Sequence, residues 1–400
     1  MTRKICVVST SRADFGLLYW LLQELRQDRD VELQLVVTGM HLAPEFGATV
    51  REVEAEFPIA RRVEMLLSGD SEAAAIKSVG VGLVSFADVL TELAPAVVVL
   101  TGDRFELLAV GIAAFMLRIP IAHIHGGETT QGAQDEGVRH ALTKLASVHF
   151  TTTEAYARRV VQLGEHPSRV HAVGAPGLDA IRRVPLMDRA ALAAFLGFDL
   201  AGTVAIVTFH PVTLEAGTAR VQAEAVCEAL RQSGVRAVFT KANADAGGRA
   251  INAAIEAFAA REPDRFRVFD SLGQRAYLSC LKNLDLMVGN SSSGLIEGPS
   301  FGIPVVNIGD RQRGRIRTPN VIDAEPSVEA IRRAIEQATS PAFRGAAKAV
   351  VNPYDPFADG NTCVRMKNIL KTMPLDDGTL KKAFFDVPLP GDLFARRPVA

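Results

Sequence analysis

The sequence is poor in cysteine and in aromatic side chains, and it has no excess of charge of either sign. Its four cysteines lie far apart and form no CxxC pair, which predicts buried thiols in a reducing compartment. The net charge of −1 provides no long-range attraction to nucleic acid or to an acidic membrane. We therefore expect neither nucleic acid nor a membrane as a partner.

Long apolar runs are also missing. The longest apolar segment, Leu107–Leu117, is far shorter than the roughly 20 residues that span a bilayer. The N-terminal apolar stretch is too short for a signal peptide and lacks a small-residue cleavage site. These absences predict a soluble cytoplasmic protein.

The sequence does contain short, β-branched apolar runs that alternate with longer amphipathic segments. Strands that are apolar nearly throughout are typical of parallel sheets covered by helices on both faces. The pattern restarts at "TVAIVTFHP" after a proline-containing stretch near residue 185. We therefore predict an α/β protein with two doubly wound, Rossmann-like domains, followed by an irregular tail after Pro374.

Polar motifs follow the predicted strands repeatedly. In open parallel sheets, ligands bind beyond the carboxyl ends of the strands, so these motifs predict one cleft between the two domains. The motifs are "STSRADFG", "TGDRFE" and "HIHGGE" in the first half, and "FHPVT", "KANADAGG", "GNSSSG" and "GDRQRGR" in the second.

The segment "GNSSSGLIEG" places hydroxyl groups where a predicted strand turns into a helix. Ser291 and Ser292, with backbone N–H groups at the helix start, suit a phosphate, although serine at this position is also an ordinary helix cap. Glu297, further along, suits a ribose diol or is a solvated acid. The segment lacks the lysine of a P-loop, which argues against an NTPase of that type.

Arginines form a second group of candidates. Arg311, Arg313, Arg315 and Arg317 follow one strand, and guanidinium groups bind diphosphates well, but we expect only one or two of them to bind ligand. Arg12, after the first strand, also suits an anion. Its motif is not GxGxxG, which argues against a dinucleotide enzyme.

His210, at a strand end before a proline, is compatible with a structural or a functional role.

The stretch "HIHGGETTQGAQDEGVRH" crowds histidines and carboxylates around a glycine pair. His123, His125 and Glu128 raise the possibility of a metal site, and strand alternation predicts that both histidines point to one face. However, the stretch contains no HExxH motif, and the chain has no Cys/His ligand set. We therefore expect no metal.

An acid–base site fits this stretch better. Asp103, Glu128 and Asp135 come from neighbouring strand-end loops and can converge on one substrate. Carboxylates that lie close together push each other's pKa values apart, as proton abstraction and return require. Arg139 and His140, in the helix that follows, are placed to orient or neutralise these acids.

Taken together, "SRADFG", "VTGMHL", "TGDRFE", "HIHGGE", "DEGVRHALTKLA", "FHPVT", "GNSSSGLIE" and "NIGDRQRGR" resemble the hydrolysing UDP-N-acetylglucosamine 2-epimerases of sialic-acid synthesis. The resemblance runs from about residue 3 to about residue 370. It implies the two-domain fold of the B-type glycosyltransferases. The implied units are an N-terminal acid–base domain (1–185), a nucleotide-binding domain (186–351), a helix that crosses back (352–373) and the irregular tail (374–400).

The resemblance also implies the chemistry. UDP-N-acetylglucosamine loses UDP by elimination across C1–C2, and water then adds to the 2-acetamidoglycal to give N-acetylmannosamine. The resemblance implies no cofactor and a homodimer or homotetramer. By matching motifs, Asp103, Glu128 and Asp135 form the acid–base set. The implied binding residues are Arg12, Arg104, His210, Ser291, Ser292 and Arg311 around the diphosphate and sugar, Asn243 near the nucleotide, and Glu297 at the ribose.

Some members of the family read HIEGGE, with a glutamate where this chain has His125, so the catalytic work falls to His125, Glu128 or Glu136. Related enzymes act on UDP- or GDP-N,N′-diacetylbacillosamine in legionaminic-acid synthesis. A glycosyltransferase of the same fold is another alternative, but it does not need three clustered acids. Those acids also argue against a non-catalytic nucleotide-sugar sensor.

Overall fold

Within the part of the chain that the structure describes, the apolar runs form the strands of two parallel sheets. The computed structural model describes residues 2–44, 47–69, 71–130, 134–211, 217–242 and 247–388. The first strand shows why these segments become central strands: the last five side chains of Arg3–Ser9 are buried, so both of its faces are covered. The prediction of two Rossmann-like α/β domains is confirmed.

The first sheet is made of the early strands of the chain. They are β1 (Arg3–Ser9), β2 (Val31–Thr38), β3 (Ile59–Val63), β4 (Val97–Thr101), β5 (Ile121–Ile124), β6 (Val148–Thr151) and β7 (Val170–Ala172). The helices between and after them are α1 (Arg12–Gln27), α2 (Val50–Glu56), α3 (Glu72–Leu93), α4 (Glu106–Met116), α5 (Gln134–Leu145), α6 (Glu154–Gln162) and α7 (Asp179–Arg183).

The second sheet repeats the pattern. Its strands are β8 (Val204–Thr208), β9 (Arg236–Thr240), β10 (Phe266–Phe269), β11 (Leu286–Gly289), β12 (Val305–Ile308) and β13 (Val321–Ala324). The helices from here to the end of the described chain are α8 (Arg189–Leu196), α9 (Ala219–Gln232), α10 (Gly248–Ala259), α11 (Gly273–Asn283), α12 (Ser293–Ile296), α13 (Gly298–Phe301), α14 (Val328–Thr339), α15 (Pro341–Lys348), α16 (Thr362–Thr372) and α17 (Asp377–Leu380).

The strand order is the same in both sheets near the centre. The first sheet runs β3-β2-β1-β4-β5-β6-β7 and the second runs β10-β9-β8-β11-β12-β13, with parallel pairing throughout. The order therefore reverses beside β1 in the first sheet and beside β8 in the second. Such reversals open a crevice at the carboxyl ends of the strands, where ligands of doubly wound folds bind.

Helix α16 returns to the first sheet. Its residues Cys363, Met366 and Leu370 are buried in the same apolar core as β1 and α1. The carboxylate of Asp179 accepts hydrogen bonds from the first two backbone N–H groups of α16, at 3.0 and 2.9 Å. The helix is shorter than the predicted segment 352–373, and the predicted unit boundaries at residues 185 and 351 stay a prediction.

The segment after α16, which we expected to be irregular, contains α17 and packs against the first sheet. Lys382 donates to both carboxylate oxygens of Glu165, at 2.8 and 2.9 Å. Residues 389–400 lie outside the described part of the chain.

Helix α3 is, by length and composition alone, able to cross a membrane. It packs against α4, and Ser78, Gly82, Phe86, Leu90 and Leu93 of α3 are buried in the protein. A single such helix is weak evidence for a membrane, because the packed helices of globular proteins can pass the same test.

Candidate active site

The loop after β5 turns sharply at His125. Its φ of +68° lies in the left-handed region, which is uncommon for a residue with a side chain. Gly127 follows with a φ of +78°, and a Cβ there would lie 2.4 Å from the backbone oxygen of Tyr156, so only glycine fits. Because β5 ends at Ile124, the alternation that we used to place His123 and His125 on one face does not extend to His125.

This turn brings His125 against Glu128. Nδ1 of His125 lies 2.8 Å from Oε1 of Glu128, and both residues are buried. The same oxygen accepts a hydrogen bond of 2.9 Å from the hydroxyl of Thr152, while Oε2 lies 3.9 Å from the Arg315 guanidinium. A histidine and a carboxylate so placed form an oriented pair, in which the carboxylate fixes the ring and its tautomer.

The charges around Glu128 keep it ionised. Burial alone raises the pKa of Glu128, but His125, Arg315 and the Thr152 hydroxyl together lower that pKa to about 2. An ionised carboxylate only accepts hydrogen bonds, so Nδ1 of His125 carries the proton that is donated to it. The other ring nitrogen, Nε2, is buried and has no hydrogen-bond partner among the described residues. That nitrogen is therefore available to a ligand.

His123 has a different role. Its Nε2 lies 2.8 Å from the carbonyl oxygen of Gly102, and its Nδ1 lies 3.2 Å from the Thr143 hydroxyl. Burial lowers the pKa of His123 to about 4, so the ring is neutral and its nitrogens are occupied within the core. Across the described ranges, no group of three or more histidine, cysteine, aspartate and glutamate side chains is arranged to hold a metal ion.

Arg139, on α5, gathers the predicted acids. It is only 2% exposed, and its guanidinium donates to the Asp103 carboxylate, to the Glu136 carboxylate at 3.2 Å and to the backbone carbonyl of Glu128 at 3.0 Å. The structure thus brings Asp103 and Glu128, which come from different strand ends, to one buried arginine. Glu136 joins them.

Asp135 lies at the margin of this group. It is the second residue of α5, with an exposed side chain, four residues before Arg139 on the same helix. A negative charge in the first turn of a helix interacts favourably with the helix dipole. Asp135 therefore faces water more than Asp103 or Glu128 does.

On the side of the second sheet, His210 follows β8. Its backbone is held by the side chain of the fully buried Asn290, which accepts from the His210 N–H at 2.7 Å and donates to its carbonyl at 2.8 Å. Burial, and then the charge of Arg311, lower the pKa of His210 to about 3. The ring is neutral at pH 7 and lies near an arginine that the sequence assigned to the diphosphate.

The serine segment after β11 does not lead into one long helix. Ser291 and Ser292 precede the four-residue α12, and Glu297 separates it from α13, which has a proline in its first turn. Burial raises the pKa of Glu297 to about 7. At Gly289 a Cβ would lie 2.0 Å from the backbone oxygen of Thr208, so β11 closely approaches β8 just before the serines. The serines thus lie at the switch point of the second sheet.

The arginine loop, defined as residues 309–318, follows β12, and its outer arginines bind acids of this chain. Arg313 lies 3.5 Å from the Asp310 carboxylate, and both side chains are about two-thirds exposed or more. Arg317 lies 2.9 Å from the Asp323 carboxylate. These two arginines form ion pairs with acids of this chain, in line with the expectation that only one or two of the four bind ligand.

The other two arginines of the loop face the site. Arg311 donates to the backbone carbonyl of Asn290 at 3.3 Å, next to the serine segment. Arg315 is 16% exposed and lies 3.9 Å from the Glu128 carboxylate of the first sheet. The arginine loop therefore reaches both the predicted phosphate site and the acid–base pair.

Two further predicted binding residues lie at strand ends of the first sheet. Arg12, which opens α1, donates at 3.1 Å to the Ser271 hydroxyl of the second sheet's side, and it also lies 3.2 Å from Glu52. Arg104, after β4, donates at 2.8 Å to the fully buried Glu106. Both arginines are fixed by acids, and Arg12 bridges the two halves of the chain.

Asn243 lies outside the described residues. Arg315 and Thr152 are the site residues that sequence reasoning missed. Arg315 was one of four similar arginines, and nothing in the local sequence distinguished inward from outward positions. Thr152 lies in a short run of threonines that has no motif of its own.

Two doubly wound domains, with acids and a histidine at one sheet and serines and arginines at the other, have the fold of the B-type glycosyltransferases. A sequence profile described as UDP-N-acetylglucosamine 2-epimerase matches residues 23–371. The chain belongs to the hydrolysing UDP-N-acetylglucosamine 2-epimerase family, as its motifs suggested.

Similar proteins agree with this assignment. The chain is 37% identical to the GDP/UDP-N,N′-diacetylbacillosamine 2-epimerase (hydrolyzing) of Campylobacter jejuni over 96% of this chain and 99% of the relative. It is also 37% identical to the UDP-N,N′-diacetylbacillosamine 2-epimerase (hydrolyzing) of Legionella pneumophila, with the same coverage. The crystal structure of the Neisseria meningitidis UDP-GlcNAc 2-epimerase bound to UDP-GlcNAc superposes with a TM-score of 0.77 at 17% identity, covering 92% of this chain and 100% of that one.

Proposed function

We propose that the protein converts a UDP-linked 2-acetamido-2-deoxy sugar and water into UDP and the free sugar with inverted C2. The observation that carries this proposal is the buried His125–Glu128 pair, whose free ring nitrogen belongs to a site that also holds the arginine loop. A proton-transfer group and a diphosphate-binding group are the two components that elimination of UDP requires.

In the first step, Nε2 of His125 takes the C2 proton. The C–H bond breaks, its electrons form the C1–C2 double bond, and the C1–O bond to UDP breaks. The ionised Glu128 stabilises the imidazolium that results, because it accepts the Nδ1 proton as a hydrogen bond. Arg311 and the serine segment stabilise the negative charge that develops on the diphosphate.

In the second step, water adds to the 2-acetamidoglycal. Its oxygen bonds to C1, and a proton reaches C2 from the face opposite to the one that lost it. Asp103 and Glu136, which bond Arg139, and Asp135, earlier on α5, supply the acid and base for this addition. We assign Asp135 the proton exchange with water, since its side chain is exposed.

We place N,N′-diacetylbacillosamine first as the sugar and N-acetylglucosamine second, which reverses the order expected from the motifs. The 37% identity to two relatives named for the diacetamido sugar, over nearly the whole of each chain, supports this order. The name of the matching family supports the second candidate. In either case we place the enzyme in the cytoplasm, in the synthesis of a nonulosonic acid.

Proton NMR of the reaction in D2O tests the proposal. The purified protein is incubated in turn with UDP-N,N′-diacetylbacillosamine, its GDP analogue and UDP-GlcNAc. Release of a free sugar with inverted C2 and deuterium at that carbon supports the mechanism, and the preferred substrate ranks the sugars. Transfer of an unepimerised sugar to an added acceptor supports a glycosyltransferase instead.

A further inference from the structure

A ring of hydrogen bonds joins the first sheet to the arginine loop beside the acid–base pair. The hydroxyl oxygens of Tyr156, on α6, and Tyr354, after α15, lie 3.1 Å apart. The backbone N–H of Ile316 donates to the Tyr156 oxygen at 3.2 Å, and the Tyr354 hydroxyl donates to the Ile316 carbonyl at 3.3 Å. Both tyrosines are almost fully buried, at 1% and 0% exposure. The backbone N–H and carbonyl of one loop residue, Ile316, are thus held by two side chains.

A second bond fixes the same loop two residues earlier. The hydroxyl of Thr129, the residue after Glu128, donates to the Gly314 carbonyl at 2.7 Å. Arg315 lies between Gly314, which bonds Thr129, and Ile316, which bonds the two tyrosines. Both neighbours of Arg315 are therefore held on the first sheet's side of the site. Its guanidinium is thereby held 3.9 Å from Glu128.

We propose that Arg315 is a positioning residue for the His125–Glu128 pair, and that Tyr156, Tyr354 and Thr129 form a latch that holds it there. The inference rests on the proposed function and adds a requirement to it. The acid–base pair is complete only when the arginine loop of the second sheet is latched onto the first sheet.

The electrostatic consequence has a definite sign. A positive charge close to the pair disfavours protonation of both His125 and Glu128, because protonation adds positive charge. Loss of Arg315, or release of its loop, therefore raises the apparent pKa of the pair, which titrates as a unit. The other groups that act on this pair or its surroundings stay in place in such a variant; they are Arg139 on α5, His123 on β5, Tyr354 and Glu297.

Tyrosine-to-phenylalanine changes test the latch without leaving a large cavity. The variants are Tyr156→Phe, Tyr354→Phe and Arg315→Met, with Tyr19→Phe as the matched control, since the Tyr19 hydroxyl bonds Glu56 and Gln23 away from the site. We expect the acid limb of the kcat–pH profile to move up by about one pH unit in Arg315→Met and in both tyrosine variants, and not in the control. We expect kcat at neutral pH to fall by no more than about 10-fold, the limit that a one-unit shift sets, and KM to change little.

A measurement without substrate separates this inference from the proposed function. NMR titration of 15N-histidine-labelled enzyme follows the His125 ring in each variant. An upward shift of its titration midpoint in Arg315→Met and in both tyrosine variants supports the latch, whatever reaction the enzyme catalyses. Unchanged midpoints in well-folded variants overturn it, even if turnover falls, because lost stability alone does not move them.

Discussion

The two sheets have the same central strand order but place opposite kinds of side chain at their carboxyl ends. The first sheet presents an oriented histidine–glutamate pair and two carboxylates around the buried Arg139. The second presents serines, a neutral histidine and the arginine loop. The fold gives both sheets a crevice at the same relative position, and only the side chains make one suitable for moving protons and the other for holding an anion.

The difference extends to how charge is balanced. In the first sheet, acids and bases neutralise each other within the protein, and Glu128 keeps a pKa of about 2 although it is buried. In the second sheet, Arg311 donates to a backbone carbonyl and lies near a histidine whose pKa is lowered to about 3. The second site is thus better prepared for an added negative charge than the first.

The strongest test of this division is His125→Ala. We expect kcat to fall about 10²–10⁴-fold, because the proton acceptor is lost, while calorimetric UDP affinity stays the same. Glu128→Gln should cost less, and the double variant should be no worse than His125→Ala, because the two residues act as one unit. The exposed His166→Gln is the control. Weakened UDP binding with normal kcat would assign His125 to the nucleotide instead.

Asp135→Asn should lower kcat by about 10²-fold, at the lower end of the range for acid–base catalysis. The melting temperature should not change, because the side chain is exposed. Glu154→Gln, at the equivalent first turn of α6, changes a similarly exposed acid and should keep full activity. A lower melting temperature with normal turnover per folded molecule would make Asp135 a structural residue.

On the other sheet, Arg311→Ala should weaken UDP binding. Loss of a charge-assisted contact costs roughly 1.5–3 kcal/mol, which corresponds to about 10- to 100-fold in affinity. Arg313→Ala, in the same loop but exposed and bound to Asp310, should leave the affinity unchanged. Isothermal calorimetry with UDP measures both. Equal losses in the two variants would mean that the loop acts only through its total charge.

Acid should destabilise the fold through histidines of both halves. Burial lowers the pKa of His41 and His123 to about 4 and of His210 to about 3, from 6.5 in the unfolded chain. Below pH 6.5 these histidines are protonated in the unfolded state but stay neutral in the folded state. The free energy of unfolding therefore falls by up to about 1.4 kcal/mol per pH unit for each histidine. Denaturant melts should show this slope, and His210→Asn should reduce it by about one proton.

The smallest expected effect is that of chelation. No candidate ligand set for a metal follows from the sequence, and we expect kcat to be unchanged after exhaustive dialysis against EDTA. A loss of activity that one divalent ion restores would contradict this and would direct attention to the loop around His125.

Much of this arrangement was predictable, because an apolar run followed by polar residues marks the carboxyl end of a buried strand. That rule located Asp103, Glu128, His210 and Arg311. The His125 turn was not predictable, since alternation holds only while the strand continues and a left-handed φ at a histidine depends on its surroundings. Which arginines of the loop point into the site was likewise not predictable, because it depends on the acids that the fold brings near each one.

One missed boundary did have a local signal. The helix predicted to follow the serines breaks at Glu297, before Gly298 and Pro299. Proline is tolerated in the first turn of a helix and not in its interior, so a new helix starts there.

Helix α16 has a consequence for how this chain is made. The apolar core under β1 and α1 includes Cys363, Met366 and Leu370, which leave the ribosome after both sheets have been synthesised. Domains generally fold as units during synthesis, N-terminal part first. Here the N-terminal sheet emerges first but waits for almost the whole chain before its core is closed. Until α16 has been synthesised, the apolar side chains that it covers stay exposed, and we expect a chaperone to bind this face of the nascent protein.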